Sequence, residues 1–249
     1  MVEEFSLPER KPAISGKSAP PAKKSTDKEV DIFLDKLARL PKTTSAKGRL
    51  IFALDATASR QMTWDQACHI QAMMFKEAGR VGDLEIQLIF YRGFGECKAS
   101  TWVSDTDHLT RLMTSVHCLA GSTQIEKVLK RAVKETAKKK VNALVFVGDA
   151  MEEDIDTLGH LAGQLGLHGL PCFMFHEGGD PIVQTAFKQF ARLSGGAYCP
   201  FNDGAAQQLK DLLAAVAVFA VGGRKALVDY SQKNKNKTMT AKLLAQIPE

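Results

Sequence analysis

The chain has 249 residues, of which 45% are hydrophobic and 24% are charged. These values are ordinary for a soluble globular protein and allow one domain with appendages. The formal net charge is +5, but Lys and Arg exceed Asp and Glu by three in residues 1–48 and by four in residues 224–249, which leaves −2 for the residues between. Because the basic charge lies in the tails, nucleic acid is not the expected partner of the central domain.

The cysteines and the first residues indicate a compartment. Five cysteines are widely spaced without a Cys-x-x-Cys pair, which excludes a disulfide framework and a zinc site of the usual spacing. Residues 1–16 contain acids and prolines where a signal peptide needs a basic start and an apolar run, and the apolar stretch at 212–223 is too short to span a bilayer. We expect a cytoplasmic protein without a membrane partner.

The chain begins and ends in segments of tail-like composition. Residues 1–28 are rich in Pro, Lys and Ser, which is typical of a disordered tail. Apolar residues at near-helical spacing predict a short helix over 30–40, followed by a linker, so residues 29–48 precede the domain. We place the domain at 49–223 and a polar, basic tail at 224–249.

From residue 49 strands and helices alternate. Continuous apolar runs at 50–54 and 142–148 predict central parallel strands buried on both faces. Further strands are predicted at 84–92, 97–103, 171–176 and 197–201, and helices at 63–80, 104–116, 123–140, 155–168, 181–196 and 204–220. The short glycine-containing connection at 93–96 predicts a hairpin. The pattern predicts an α/β fold: a doubly wound, mostly parallel six-stranded sheet with one antiparallel edge strand and helices on both faces.

Oxygen-bearing side chains follow the two central strands. Asp55 follows the first, Asp149 follows the second, and each should stand at the same edge of the sheet, where ligands bind in such folds. Thr57 and Ser59 succeed Asp55 at two-residue steps, and Thr123 lies at the start of a helix. Hard oxygen donors suit Mg²⁺ or Mn²⁺, and a bound cation would relieve the repulsion between the two carboxylates.

This set of residues resembles the metal-ion-dependent adhesion site of the von Willebrand factor A-type (integrin I-like) domain. The resemblance rests on D-x-T-x-S at 55–59, G-x-T at 121–123 and an Asp after a buried strand, and it covers roughly residues 49–221. It implies that Thr57, Ser59 and Thr123 ligate the metal through their hydroxyls. It also implies that Asp55 and Asp149 act largely through bound water.

The sequence departs from the family pattern at two points. Thr57 replaces the more frequent Ser and keeps the hydroxyl, whereas Ala150 stands where a Gly is usual. Three more acids follow at 152–154.

The family resemblance also implies a function. With neutral hydroxyls in the direct positions, the metal keeps positive character and an open position, which an Asp or Glu of a protein partner completes. We expect a non-enzymatic interaction module. Intracellular prokaryotic members of this family often serve as adaptors for ATPase chaperones or stress systems, so the resemblance implies a partner of that kind, such as an ATPase chaperone complex.

Several residues have plainer interpretations. Asp55 and Asp149 are also typical helix-cap or turn residues after strands. His176 and Glu177 end the strand beside the one that leads to Asp149, where a histidine can act as a general base, but we favour ordinary loop residues. The basic run at 127–140 is expected to be a solvated helix face, because Lys and Arg fall between apolar residues at helical spacing.

Two other functions stay open. One is a Mg²⁺-dependent phosphatase with Asp55 as nucleophile, although Thr57 stands where haloacid dehalogenase-like phosphatases need a second acid. The other is a metal-free scaffold that recruits partners through its basic tails.

A cysteine nucleophile at Cys118 beside His117 is disfavoured, because adjacent residues at one helix end point apart.

Overall fold

The structure is a computed structural model that describes Ile32 and residues 48–61, 84–201 and 206–233. The predicted helix over 63–80, most of that over 30–40, and the tail at 1–28 lie outside the described residues.

The described residues form six strands and five α-helices. The strands are β1 (Gly48–Asp55), β2 (Leu84–Arg92), β3 (Glu96–Val103), β4 (Ala143–Gly148), β5 (Cys172–Glu177) and β6 (Ala197–Phe201). The helices are α1 (Thr106–Thr114), α2 (Ile125–Lys138), α3 (Ile155–Leu167), α4 (Pro181–Ser194) and α5 (Ala206–Lys233), and a short 3₁₀ turn covers Ala58–Arg60. The predicted strands and the five described helices are confirmed. Most of their ends lie within a few residues of the predicted positions.

The strands form one sheet in the order β3-β2-β1-β4-β5-β6. All neighbours are parallel except β2 and β3, which are antiparallel and joined by the predicted hairpin. Strand order reverses between β1 and β4, the two strands predicted to be central. The carboxyl ends of β1 and β4 therefore flank the switch point where ligands bind in open α/β sheets.

The sheet has a buried apolar core on each face. Alternate side chains of β1 enter opposite cores: Phe52 lies in the core under α1 and α5, whereas Ile51 lies in the core under α2, α3 and α4. All eight residues of β1 are buried, which explains the unbroken apolar run at its centre, residues 50–54. The predicted arrangement of helices on both faces is confirmed.

Two element boundaries, the end of the first strand and the end of the last helix, differ from the predictions. Asp55 is the last residue of β1 and not the first residue after it. The last helix, predicted over 204–220, continues to Lys233, so the boundary placed at residue 223 falls inside α5. Tyr230, near the end of this helix, is buried together with Ala214 and Val218.

Candidate functional site

Asp55 is held at the end of β1 by hydrogen bonds to both of its carboxylate oxygens. The Thr57 N–H donates to Oδ1 over 2.8 Å, and the Tyr91 O–H donates to Oδ2 over 2.9 Å. The side chain is fully buried. Burial raises the pKa of Asp55, the nearby charge of Asp149 adds to that rise, and the hydrogen bonds from Thr57 and Tyr91 oppose it.

Asp149 follows β4 beside Asp55. The strands pair up to Leu54 and Val147, and Gly148 packs so closely on Asp55 that a Cβ at Gly148 would lie 3.3 Å from that of Asp55. Asp149 Oδ1 is buried and has no hydrogen-bond partner in the described part of the chain. A buried carboxylate oxygen without a partner is unfavourable unless a cation neutralises it.

Thr57 and Ser59 lie on the turn that leaves β1. Their hydroxyl oxygens are 3.0 Å apart, with Thr57 buried and Ser59 exposed. The Thr57 N–H and O–H both donate to the Asp55 carboxylate, and the Ser59 hydroxyl lies next to that of Thr57. The D-x-T-x-S sequence therefore gathers three oxygen-bearing side chains on one short segment.

Arg60, which belongs to none of the sequence motifs, anchors this turn to the sheet. Its side chain is 1% exposed. Its Nε donates to Glu177 Oε2 over 2.7 Å, and its Nη1 donates to the carbonyl oxygens of Asp55 at 2.9 Å and Val147 at 3.5 Å. One guanidinium thus joins the carboxyl ends of β1, β4 and β5.

The loop that carries Thr123 meets the same edge of the sheet. The Leu119 N–H donates to the Ala56 carbonyl over 3.0 Å, and the Ser122 N–H donates to the Gly93 carbonyl over 3.3 Å. Gly121 makes the approach possible, because a Cβ there would lie 2.0 Å from the Gly93 carbonyl oxygen. The loop is therefore hydrogen-bonded to the residue after Asp55 and to the end of β2.

The Thr123 side chain is buried and bonded to the loop after β4. Its hydroxyl donates to Glu153 Oε2 and accepts from the Glu152 N–H. These two acids appeared in the sequence as departures from a family pattern, and nothing in their spacing predicted contact with Thr123. The contact links the segments that carry Thr123 and Asp149.

The histidine and cysteine candidates are not arranged for catalysis. His176 and Glu177 belong to β5, so the prediction of loop residues is wrong. His176 is buried against Phe187, its Nδ1 lies 3.0 Å from the Tyr198 hydroxyl, and burial lowers its pKa. Cys118 is partly buried, and burial raises the pKa of its thiol to about 11, which makes it a poor nucleophile at neutral pH.

The donor set fits a hard cation held by few carboxylates. Asp55 and Asp149 are the two carboxylates, and the hydroxyls of Thr57 and Ser59 stand beside Asp55. Within the described ranges, no group of three or more His, Cys, Asp and Glu side chains is arranged to hold a metal ion. A metal here therefore depends on hydroxyls and water for its remaining ligands, as Mg²⁺ sites commonly do. The five predicted ligands lie on three linked segments, and their role stays a prediction.

Solved von Willebrand factor A domains share this fold. The SpRpn10 VWA domain superposes with a TM-score of 0.54 at 14% identity, over 67% of this chain and 94% of that one. A von Willebrand factor type A protein from Catenulispora acidiphila gives 0.56 at 13% identity, over 71% and 44%. The vWF domain of the type V pili tip protein Mfa5 from Porphyromonas gingivalis gives 0.54 at 10% identity, over 70% and 95%.

The chain therefore has the von Willebrand factor A-type fold, as the sequence motifs predicted. No protein-family model and no curated protein matches the sequence. None of the described helices combines the length and the apolar character that crossing a membrane requires.

Proposed function

We propose that this von Willebrand factor A-type domain is a metal-dependent protein-interaction module. It would hold Mg²⁺, or Mn²⁺, with Asp55, Thr57, Ser59, Thr123 and Asp149. The observation that carries the proposal is the buried Oδ1 of Asp149, which has no hydrogen-bond partner among the described residues and stands beside the buried carboxylate of Asp55. A cation between these groups would neutralise both.

The carboxylates, the hydroxyls and Arg60 would each have a separate role in the proposed metal site. Asp55, held by Thr57 and Tyr91, and Asp149 supply negative charge at the carboxyl ends of the two central strands. The hydroxyls supply neutral ligands, so the bound metal keeps net positive character and can accept an acidic side chain from a partner. Arg60 holds the turn against the strand ends while this happens.

Exposed apolar side chains beside the site support a protein as the partner. Phe94, at the tip of the β2–β3 hairpin, is 89% exposed, and Leu119 is 51% exposed. Leu119 is bonded to Ala56 through its backbone, and its side chain lies against Gly93. Large exposed apolar side chains next to a charged site are typical of protein interfaces.

The partner that we expect is a protein presenting Asp or Glu with an adjacent apolar side chain. An ATPase chaperone complex in the cytoplasm is our proposal for its identity, on the sequence resemblance described above. The test is capture of Asp-containing peptides from a random peptide library with Mg²⁺ and with EDTA. We expect Mg²⁺-dependent capture that Asp149→Ala abolishes and that Phe94→Ser weakens. Equal capture in EDTA would contradict the proposal.

The hydrolase alternative gains no support from the geometry. Both carboxylate oxygens of Asp55 accept hydrogen bonds, which lowers their nucleophilicity, and His176 is packed in the core. A phosphatase screen with and without Mg²⁺ tests it, since turnover that Asp55→Asn removes would revive it. The metal-free scaffold is tested by deleting residues 1–47 and, separately, 234–249, which leaves β1 and α5 whole.

A further inference from the structure

Two consecutive acids of the loop after β4 fix the direction of the Thr123 hydroxyl. The Glu152 N–H donates to Thr123 Oγ1 over 2.9 Å, and the Thr123 O–H donates to Glu153 Oε2 in a short bond. A hydroxyl has one proton and two lone pairs. Because the proton and one lone pair are used, the direction of the second lone pair is set.

The same acids hold the backbone around Thr123. The Thr123 N–H donates to Glu152 Oε2 over 2.9 Å, and the Glu126 N–H donates to Glu153 Oε1 over 3.2 Å. Gln124, the residue at the N-cap of α2, makes no side-chain capping bond of its own. Glu153 therefore serves as the cap of α2 from a distant segment of the chain.

We infer that Glu152 and Glu153 are positioning residues that orient the Thr123 hydroxyl toward the cation. The inference rests on the proposed metal site, and it assigns these acids a role in metal binding in addition to their structural contacts. A carboxylate that accepts the proton of a ligating group fixes that ligand's orientation and raises its basicity. The absence of a three-carboxylate group in the described residues agrees with an outer role, in which these acids act on the metal through Thr123.

The inference is tested on the full chain by calorimetric titration with Mg²⁺ and Mn²⁺. Glu153→Met removes the acceptor at similar volume, and we expect the metal Kd to rise about tenfold or more. Glu153→Gln keeps an oxygen that can accept from Thr123 and should give an intermediate Kd. Asp156→Asn is the matched control, because Asp156 is an exposed acid in the first turn of α3, and it should change the Kd less than twofold.

The metal-free melting temperature separates positioning from a purely structural role. Loss of the cap should lower this temperature in Glu153→Met, whichever role is correct. If Glu153→Met or Glu153→Gln melts lower but binds metal as tightly as the wild type, the acids act on the fold alone and the inference is overturned. Tighter metal binding would overturn it as well. Failure of the wild type to bind either metal would instead defeat the proposed function, and this inference with it.

Discussion

Tyr91 donates its phenolic hydrogen to Asp55 Oδ2 over 2.9 Å, and both side chains are fully buried. The two residues face each other in the parallel register of β1 and β2. Burial, and then the charge of Asp55, raise the pKa of Tyr91 well above its usual range, so the phenol stays protonated and remains a donor. The first candidate ligand is thus oriented by the neighbouring strand.

Tyr91→Phe should destabilise the fold through this bond. The substitution leaves a buried carboxylate oxygen without its donor, and we expect a loss of about 1–3 kcal/mol in the free energy of unfolding, measured with urea. In an Asp55→Asn background the same substitution should have a different and smaller effect, because the bond to a charged acceptor is already lost. Equal losses in both backgrounds would show that the contribution of the Tyr91 hydroxyl does not depend on the Asp55 carboxylate.

Arg60→Met should destabilise the fold more than the loss of an ion pair at the surface does. Arg60 pairs with Glu177 at 2.7 Å with the two side chains 1% and 12% exposed, so its loss strands a largely buried carboxylate. We expect a loss of about 3–5 kcal/mol in the free energy of unfolding. Lys130→Met is the control: its pair with Glu126 on α2 is 62% and 37% exposed, and about 1 kcal/mol or less is expected. Similar losses would contradict the anchoring role of Arg60.

Gly121→Ala should disrupt the loop that carries Thr123. A Cβ at Gly121 would lie 2.0 Å from the Gly93 carbonyl oxygen, so the loop must move away from the end of β2. Gly163→Ala is the control, because a Cβ there meets nothing within 4 Å and lies in helix α3. We expect a lower melting temperature and weaker Mg²⁺ binding for Gly121→Ala. For Gly163→Ala we expect the free energy of unfolding to rise by about 0.5–1 kcal/mol. A wild-type melting temperature in Gly121→Ala would refute the close approach.

His176 should make the fold less stable in acid. Burial lowers its pKa, so the folded state binds a proton less readily than the unfolded state. Stability is therefore present above the unfolded pKa of about 6.5 and is lost as the pH falls from there toward the folded pKa. Between about pH 7.5 and pH 5, the wild type should lose more free energy of unfolding than His176→Gln. Identical losses in the two proteins would mean that His176 does not titrate in this way.

The sheet was predictable because its central strands are buried on both faces and therefore have a recognisable apolar sequence. Residues 50–54 and 143–148 are unbroken apolar runs, and strands buried on both faces require such runs. Asp105 and Asp180, which the structure shows as N-caps of α1 and α4, are typical capping residues in front of helical periodicity. The antiparallel edge followed from the glycines at 93 and 95, both of which have positive φ.

The contacts that support the site could not be read from the sequence. Arg60 is buried because it meets Glu177, which is 117 residues away, and no local pattern distinguishes it from a surface arginine. The link between Glu153 and Thr123 likewise joins segments 30 residues apart. Motif spacing locates ligands that share a turn, whereas partners brought together by strand order become visible only in the fold.

Calorimetric titration of Mg²⁺ into the wild type and Asp149→Ala tests the central claim most directly. We predict that the wild type binds one equivalent and that Asp149→Ala binds none. Adding Mg²⁺ should raise the melting temperature of the wild type above its metal-free value. Asp156→Asn, which removes an exposed acid, should bind as the wild type does. Absence of binding to the wild type, or equal binding to Asp149→Ala, would contradict a metal site at the ends of β1 and β4.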